Sequence, residues 1–293
     1  MNRIPMFDPV NPRVPLGEWV SDLTDWFTDT FSLVLGGIDA GLSAAYEGLA
    51  YLLATPSFLI MIVVFGAVGW WLRSWKFAVF TVIGFYVIRA LDQWVTAMDT
   101  LALVLLAAGL SVLLAVPLGI WAARSEAVSR VLRPVLDLMQ TMPAMVYLIP
   151  TLAAFGIGAV PGMVATVVFA MPPGVRLTEL AIRRVDAEVV EAGHAFGAAP
   201  SRILRQIQLP LALPTIMAGI NQVIMLALSM VVLAAMVGAS GLGGEVLSAL
   251  NRVNVAQGVE AGLAVVILAI YLDRLVAALG DRAPVARAER VKA

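Results

Sequence analysis

The sequence offers few side chains for covalent or metal chemistry. Its 293 residues include no cysteine and one histidine, which excludes thiolate zinc sites, iron–sulfur clusters, cysteine nucleophiles and sites with several histidine ligands. His194 belongs to no catalytic motif, so we expect it to have a solvated structural role. A glycine-rich run lacks the lysine of a phosphate-binding loop and is expected to form a flexible or re-entrant connection: Gly238, Gly241, Gly243 and Gly244. We therefore predict no catalytic residue, no metal site and no ATPase site in this chain.

One polar segment, residues 183–216, has the composition of a protein-docking element. Five residues lie near one helical face, which predicts a short amphipathic helix: Val185, Val189, Ala192, Ala195 and Phe196. Gly197 permits a sharp turn, Pro200 suits the first turn of a second short helix, and Pro210 is expected to end that helix. A helix–turn–helix that carries Arg and Glu side chains is suited to a groove on a soluble partner.

The chain as a whole has the composition of a polytopic membrane protein. Hydrophobic residues make up 61% and charged residues 13% of it, against roughly 45–50% and about 25% in soluble domains. A net charge of −1 argues against nucleic-acid binding, because phosphate neutralisation needs clustered Lys and Arg. Seven runs are predicted to cross the lipid bilayer: residues 54–72, 77–94, 98–122, 138–157, 159–176, 211–237 and 259–279.

The distribution of positive charge predicts the orientation in the membrane. Of the 19 Lys and Arg residues, all but Arg3, Arg13, Arg89 and Arg252 fall on one side of the seven predicted spans. Cytoplasmic loops retain positive charge, so we expect the N-terminus outside and the C-terminus in the cytoplasm. The predicted organisation is an amphipathic N-terminal region (1–50), a transmembrane domain (51–280) with a cytoplasmic loop (177–210), and a cytoplasmic tail (281–293). The first ten residues have no apolar h-region, so no cleavable signal peptide is expected.

Polar residues within the predicted spans are few. The acidic residues lie near span ends, which disfavours an ion-coupled transporter. Asn221 and Gln222 are candidates for lining a pathway, although hydrogen bonding between helices explains them equally well. Pro143 and Pro172, each close to a further proline, are expected to interrupt helices, and broken backbone at membrane depth must face protein or water. We therefore place the candidate pathway among the fourth to sixth spans.

The third span carries a row of small residues at every fourth position: Ala107, Ser111, Ala115 and Gly119. Such a row allows two membrane helices to approach closely and to pack by van der Waals contact. An accidental row in an alanine-rich helix is the alternative.

The docking segment resembles a known family signature. Its matching residues are Glu191, Ala192, Gly193, Gly197, Ile207, Leu209 and Pro210. They resemble the E-A-A-x-x-x-G-x(9)-I-x-L-P signature of permease subunits of ATP-binding-cassette (ABC) importers. Gly193 replaces the usual alanine, which we expect to loosen that helical turn.

The resemblance extends over residues 14–279 to the glycine betaine/proline betaine branch of that family, through segments such as PLGIWAARS (117–125) and LRPVLDLMQTMPAMVYLIP (132–150). It implies an all-α, type I ABC importer permease fold in the bacterial inner membrane. It also implies a homodimer, two cytoplasmic ATPase subunits that bind the ATP, and an external substrate-binding protein. No cofactor is expected in this chain.

The resemblance further implies roles in the docking segment. Glu191 would cap or pair within the docking helix, Gly197 would make the turn, and Phe196 would be an apolar anchor in a groove of the ATPase. The alternatives to a betaine importer are a choline importer, a permease for another small solute, a self-contained channel or facilitator, and a membrane-embedded enzyme.

Overall fold

The computed structural model describes residues 15–282. Within that range the chain is helical and has no β-strand, which confirms the all-α prediction. The α-helices are α1 (Leu16–Thr30), α2 (Ser32–Ala54), α3 (Phe58–Leu72), α4 (Trp75–Ala90), α5 (Trp94–Arg124), α6 (Glu126–Thr141), α7 (Leu148–Phe155), α8 (Ala159–Arg183), α9 (Ala187–Ala195), α10 (Pro200–Ile203), α11 (Leu209–Ala234), α12 (Leu242–Arg252) and α13 (Val255–Asp281). Short 3₁₀ turns cover Ala144–Tyr147 and Ala235–Val237, and a π-helical turn covers Leu204–Gln208.

Two predicted domain boundaries, at residues 50 and 281, can be compared with the ends of helices. The N-terminal region 1–50 would end inside α2, which continues to Ala54. Nearly all of the predicted tail 281–293 lies outside the described residues.

The described helices provide fewer full spans than the seven predicted. Four of them are long and apolar enough to cross a membrane, and two bent helix pairs raise the total to six. The pair α2 and α3 is bent by 100°, and the pair formed by α6 and the segment Ala144–Phe155 by 109°. The second predicted span corresponds to α4, whose 16 residues are about 24 Å long, less than the roughly 30 Å hydrocarbon layer.

Pro143 breaks a helix as predicted, whereas Pro172 does not. Met142, just before Pro143, has the extended backbone (ψ 136°) that a following proline imposes, and α6 ends there. In contrast, α8 runs through both Pro172 and Pro173, which are buried inside it. The expected interruption at Pro172 is therefore wrong. Neighbouring helices hold α8 along its length, and such packing makes proline tolerable within membrane helices.

Pro210 does not end a helix either. The helix that begins at Pro200 continues for 38 residues to Val237. A proline ring clashes with the carbonyl group four residues earlier, which here belongs to Gln206. That residue lies in the π-helical turn Leu204–Gln208, where the wider helix changes the backbone spacing just before the proline. The sequence prediction of two separate helices was wrong because a local change of helix type accommodates Pro210.

The centre of the bundle is formed by α5, α8 and α11, which approach one another through small residues. All four residues of the predicted small-residue row on α5 are buried: Ala107, Ser111, Ala115 and Gly119. A methyl group on Gly119 would lie 2.5 Å from Thr178 Cβ and 2.7 Å from the Val175 carbonyl oxygen. On α8, a methyl group on Gly174 would lie 2.9 Å from Val223 of α11. Van der Waals packing at this distance is the main attraction between helices in lipid.

An aromatic cluster attaches the helical hairpin of α3 and α4 to α13. The ring of Phe65 lies 4.6 Å from that of Phe85, and both contact Tyr271 of α13, at 5.7 Å and 5.1 Å between ring centroids. Aromatic pairs at such distances contribute beyond the area they bury. These aromatic side chains therefore hold the short hairpin against the bundle.

We predict that the contact at Gly119 limits the stability of the bundle. Gly119→Ala should destabilise the solubilised protein by about 1–3 kcal/mol, since the added methyl group meets backbone atoms of α8. The matched control is Gly109→Ala in the same helix, where no neighbouring group lies within 4 Å of the added methyl group. That variant should be neutral or more stable, because alanine favours a helix over glycine. Thermal unfolding in detergent measures both, and equal melting temperatures for the two variants would contradict the prediction.

Candidate functional site

The docking segment (residues 183–216) begins with the short helix α9, which follows the end of α8. Asp186 caps α9, its side chain accepting a hydrogen bond from the Glu188 backbone N–H at 3.0 Å. Capping satisfies one of the free N–H groups of the first helical turn. The sequence analysis assigned a capping or pairing role to Glu191. In the structure Glu191 is exposed, and among residues 15–282 its side chain has no hydrogen bond or ion pair.

Gly197 makes the turn that ends α9. Its φ angle is +73°, a region that favours glycine. The Ala198 N–H donates to the Gly193 carbonyl at 3.1 Å, and the Gly197 N–H donates to the His194 carbonyl at 2.9 Å. These two bonds form a Schellman motif, which satisfies the last carbonyl groups of the helix. The backbone of His194 thus belongs to the turn, while its side chain is exposed.

Gly193 is the point at which α9 lies against the following helix. A methyl group there would lie 2.9 Å from Ile207 Cδ1 and 3.3 Å from Ile203 Cγ1. The departure from the usual alanine therefore allows a closer contact rather than a looser turn. Ile203 is buried, and it forms with Ile207 the surface on which Gly193 of α9 rests.

The signature residues divide into a buried set and an exposed set. Gly193 is buried and Ile207, Leu209 and Pro210 are half-buried, whereas Glu191 and Ala192 are exposed. Phe196 stands at the tip with 91% of its surface exposed. An aromatic side chain held outward by a fixed turn is suited to a partner's pocket. Phe196 is therefore an exposed anchor side chain, and the buried signature residues hold its helix in place.

The four candidate pathway residues have different surroundings. Asn221 donates a hydrogen bond to Asp273 Oδ1 of α13 at 2.8 Å, so it joins two helices. Gln222 is exposed, Pro143 is exposed, and Pro172 is buried in α8. Asn221 therefore makes the hydrogen bond between helices that the sequence analysis gave as the alternative to lining a pathway. Gln222, on an exposed face of α11, remains the polar candidate for lining the pathway.

Sequence reasoning missed a buried carboxylate next to the docking segment. Glu179 lies in the last turns of α8 with a side chain only 7% exposed, and it contacts Ser129, Arg133 and Arg183. The pair Glu179 and Arg183, four residues apart on one helical face, was a signal in the sequence. Its partners on α6 were not, because they lie 46 and 50 residues away. Among residues 15–282, no group of three or more His, Asp or Glu side chains is placed to hold a metal ion.

Comparison with known proteins gives a consistent set of relatives. The family described as "binding-protein-dependent transport system inner membrane component" matches residues 115–283. The glycine betaine transport system permease protein OpuAB of Bacillus subtilis is 50% identical over 264 residues, 90% of this chain and 94% of that protein. The glycine betaine/proline betaine transport system permease protein ProW of Escherichia coli is 45% identical over 94% of this chain and 78% of that protein. The choline transport system permease protein OpuBB of Bacillus subtilis is 32% identical over 64% of this chain and 87% of that protein.

A solved structure has the same fold. The inward-facing MetNI methionine ABC transporter superposes with a TM-score of 0.57 at 23% identity, over 66% of this chain and 93% of the matched chain. This likeness confirms the predicted type I permease fold.

We predict that Gly197 acts through its backbone alone, since a side chain there would meet no other group within 4 Å. Gly197→Val should strain the turn by about 1–3 kcal/mol, whereas Gly197→Asn should retain it, because asparagine tolerates a positive φ. Hydrogen exchange of the amides of residues 187–198 should therefore accelerate in the valine variant only. Equal exchange in the two variants would show that the turn does not depend on the φ angle of residue 197.

Proposed function

Because the chain belongs to the family of binding-protein-dependent transport system inner membrane components, we propose that it is the permease subunit of an ABC importer for glycine betaine and proline betaine. The observation that carries this proposal is the 50% identity to a glycine betaine permease over 90% of the chain. Members of the family are inner-membrane subunits that work with an ATPase and a substrate-binding protein. The choline alternative has weaker support, since that relative is less similar and matches a shorter part of the chain.

The proposed assembly is a homodimer of this chain with two cytoplasmic ATPase subunits and an external binding protein. ATP is bound by the ATPase subunits, and this chain has no ATPase site or cofactor of its own. Its sequence supports this division of labour, because it lacks a phosphate-binding loop. Transport energy then enters the permease through contacts with the ATPase.

The proposed orientation places the docking segment in the cytoplasm and the N-terminus outside. Contacts at one end of the bundle support it. The Arg73 side chain donates to the Arg274 carbonyl at 3.4 Å, and the Arg282 guanidinium lies 5.1 Å from the Trp71 ring centroid. The turn between α3 and α4 therefore meets the end of α13, and both carry positive charge, which cytoplasmic ends retain.

In the proposed mechanism α9 sits in a groove of the ATPase with Phe196 as its anchor. ATP-driven closure of the ATPase subunits displaces α9, and the displacement enters the bundle through α8 and through the continuous helix α10–α11. Rigid-body rocking of the two permease copies then alternates access to a central pathway.

Substrate selection is proposed to reside mainly in the binding protein. A quaternary ammonium group keeps its charge at every pH and cannot donate a hydrogen bond, so tight binding favours an aromatic cage. Four of the seven described tryptophans, Trp70, Trp71, Trp75 and Trp121, are exposed at helix ends, where aromatic residues face the membrane interface.

We predict that Phe196 dominates binding of the ATPase subunit. Phe196→Ser should lower the affinity for the ATPase about 30-fold, because truncating an anchor residue costs about 2 kcal/mol of binding free energy. Less ATPase should then copurify with the permease. Leu250→Ser is the matched control, since Leu250 is 73% exposed on α12 at the opposite end. It should leave binding unchanged. A larger loss with Leu250→Ser would place the ATPase on the other side and invert the proposed orientation.

Uptake of labelled glycine betaine tests the substrate. The cells lack their own betaine transport and express this chain with its neighbouring ATPase and binding protein. We expect ATP-dependent uptake that excess choline inhibits only slightly. Direct choline uptake with strong competition would move the substrate assignment to choline, and uptake without the ATPase subunit would instead indicate a self-contained facilitator.

A further inference from the structure

A set of polar contacts, which we call the α6–α8 ladder, joins the end of α8 to α6. At its centre Glu179 Oε1 accepts a hydrogen bond from Ser129 Oγ at 2.7 Å and from Arg133 Nη2 at 3.2 Å. The same oxygen lies 2.9 Å from Arg183 Nε. Ser129 is fully buried, and the Glu179 side chain is 7% exposed. A buried carboxylate is stable only when paired and hydrogen-bonded, so these three partners fix its position.

Three further contacts extend the ladder in opposite directions. Arg183 donates to Glu126 Oε2 at 3.0 Å and to the Ala122 carbonyl at 2.8 Å, in the last turn of α5. One turn above Glu179, Arg176 pairs with Asp137. Positions 176, 179 and 183 lie on one face of α8, and their partners run in the reverse order along α6. The ladder therefore fixes the register of two antiparallel helices.

One end of the ladder lies where α8 leads into the docking segment. Arg183 is the last residue of α8, and Asp186, the cap of α9, follows three residues later. Arg183 is therefore the ladder residue closest to α9 along the chain. Because Arg183 also holds the end of α5 and the start of α6, its movement is shared among three helices.

We propose that Glu179 and Arg183 are positioning residues that make α6 and the end of α5 move together with α9 when the ATPase subunits close. This inference rests on the proposed function, since it assumes that the docking segment receives the ATPase. Without the ladder, α6 would be held to α5 and α8 by apolar packing, such as that around Leu136, and we expect ATP hydrolysis to be less tightly coupled to transport.

The test uses the complete importer, reconstituted in liposomes with its ATPase and binding protein. Glu179→Gln removes the charge of the central carboxylate but keeps its shape and an acceptor oxygen. We expect the uptake of labelled glycine betaine per ATP hydrolysed to fall at least about fivefold, which is the low end of the effects seen between coupled sites. The rate of ATP hydrolysis itself should stay within about twofold of the wild type. Asp92→Asn is the matched control, because it breaks a 3.0 Å ion pair with Arg89 at the other end of the bundle. It should leave the ratio unchanged.

A second measurement reports on the helices themselves. The chain has no cysteine, so spin labels can be attached to Ala127→Cys on α6 and Ala187→Cys on α9, both exposed positions. With the ladder intact, the distance between the labels should be the same before and after trapping with ATP and vanadate. In the Glu179→Gln background it should change on trapping.

The proposal requires both results, and an unchanged uptake ratio or an unchanged label distance in Glu179→Gln overturns it. If that variant does not assemble, Arg183→Lys replaces it, since lysine keeps the charge but cannot reach Glu179, Glu126 and the Ala122 carbonyl together. If the wild-type importer hydrolyses ATP without taking up glycine betaine, the proposed substrate is wrong and the label distance alone decides on the ladder. Failure of the ATPase to bind would overturn both proposals.

Discussion

The close approach of α5, α8 and α11 is the contact on which the rest of this structure depends. Lipid gives no hydrophobic attraction between helices, so close approach of their backbones is a main source of attraction between them. Gly119, Gly174 and Gly219 provide that approach, each lying where a methyl group would be within 3 Å of a neighbouring helix. The same packing holds α8 together across Pro172 and Pro173, since the flanking helices support the turns that lack backbone hydrogen bonds.

The docking segment inherits its rigidity from that central contact. It begins at the end of α8 and returns into α11 without a break, so both of its ends are fixed in the best-packed helices of the described chain. Between them, Asp186, Gly193 and Gly197 determine the start, the resting surface and the turn of α9 by local contacts. Phe196 is thereby held outward at a defined position, and a force applied there enters the bundle rather than being lost in a flexible loop.

Local sequence rules predicted this segment well and the membrane helices less well. Gly197 located the turn after α9, because a helix cap depends on neighbouring residues. The amphipathic pattern predicted a helix at α9, but most of its predicted apolar face is exposed and Gly193 makes the buried contact. Proline rules failed at Pro172 and Pro210, where buried packing and a π-helical turn removed the cost of the ring. The described residues form up to six spans where hydrophobicity predicted seven, because hydrophobicity identifies an apolar run but not how much of it is helical, and the helix α4 of the second predicted span has only 16 residues.

The sequence by itself determined that the chain is an all-α membrane protein, where its docking segment lies and which importer family it resembles. These properties follow from composition, periodicity and short motifs. Only the tertiary structure decided which polar groups meet: Glu179 with Ser129, 50 residues apart, and Asn221 with Asp273, 52 residues apart. The physical reason is that a buried polar side chain must find a partner, but its own sequence neighbourhood does not specify which helix supplies one.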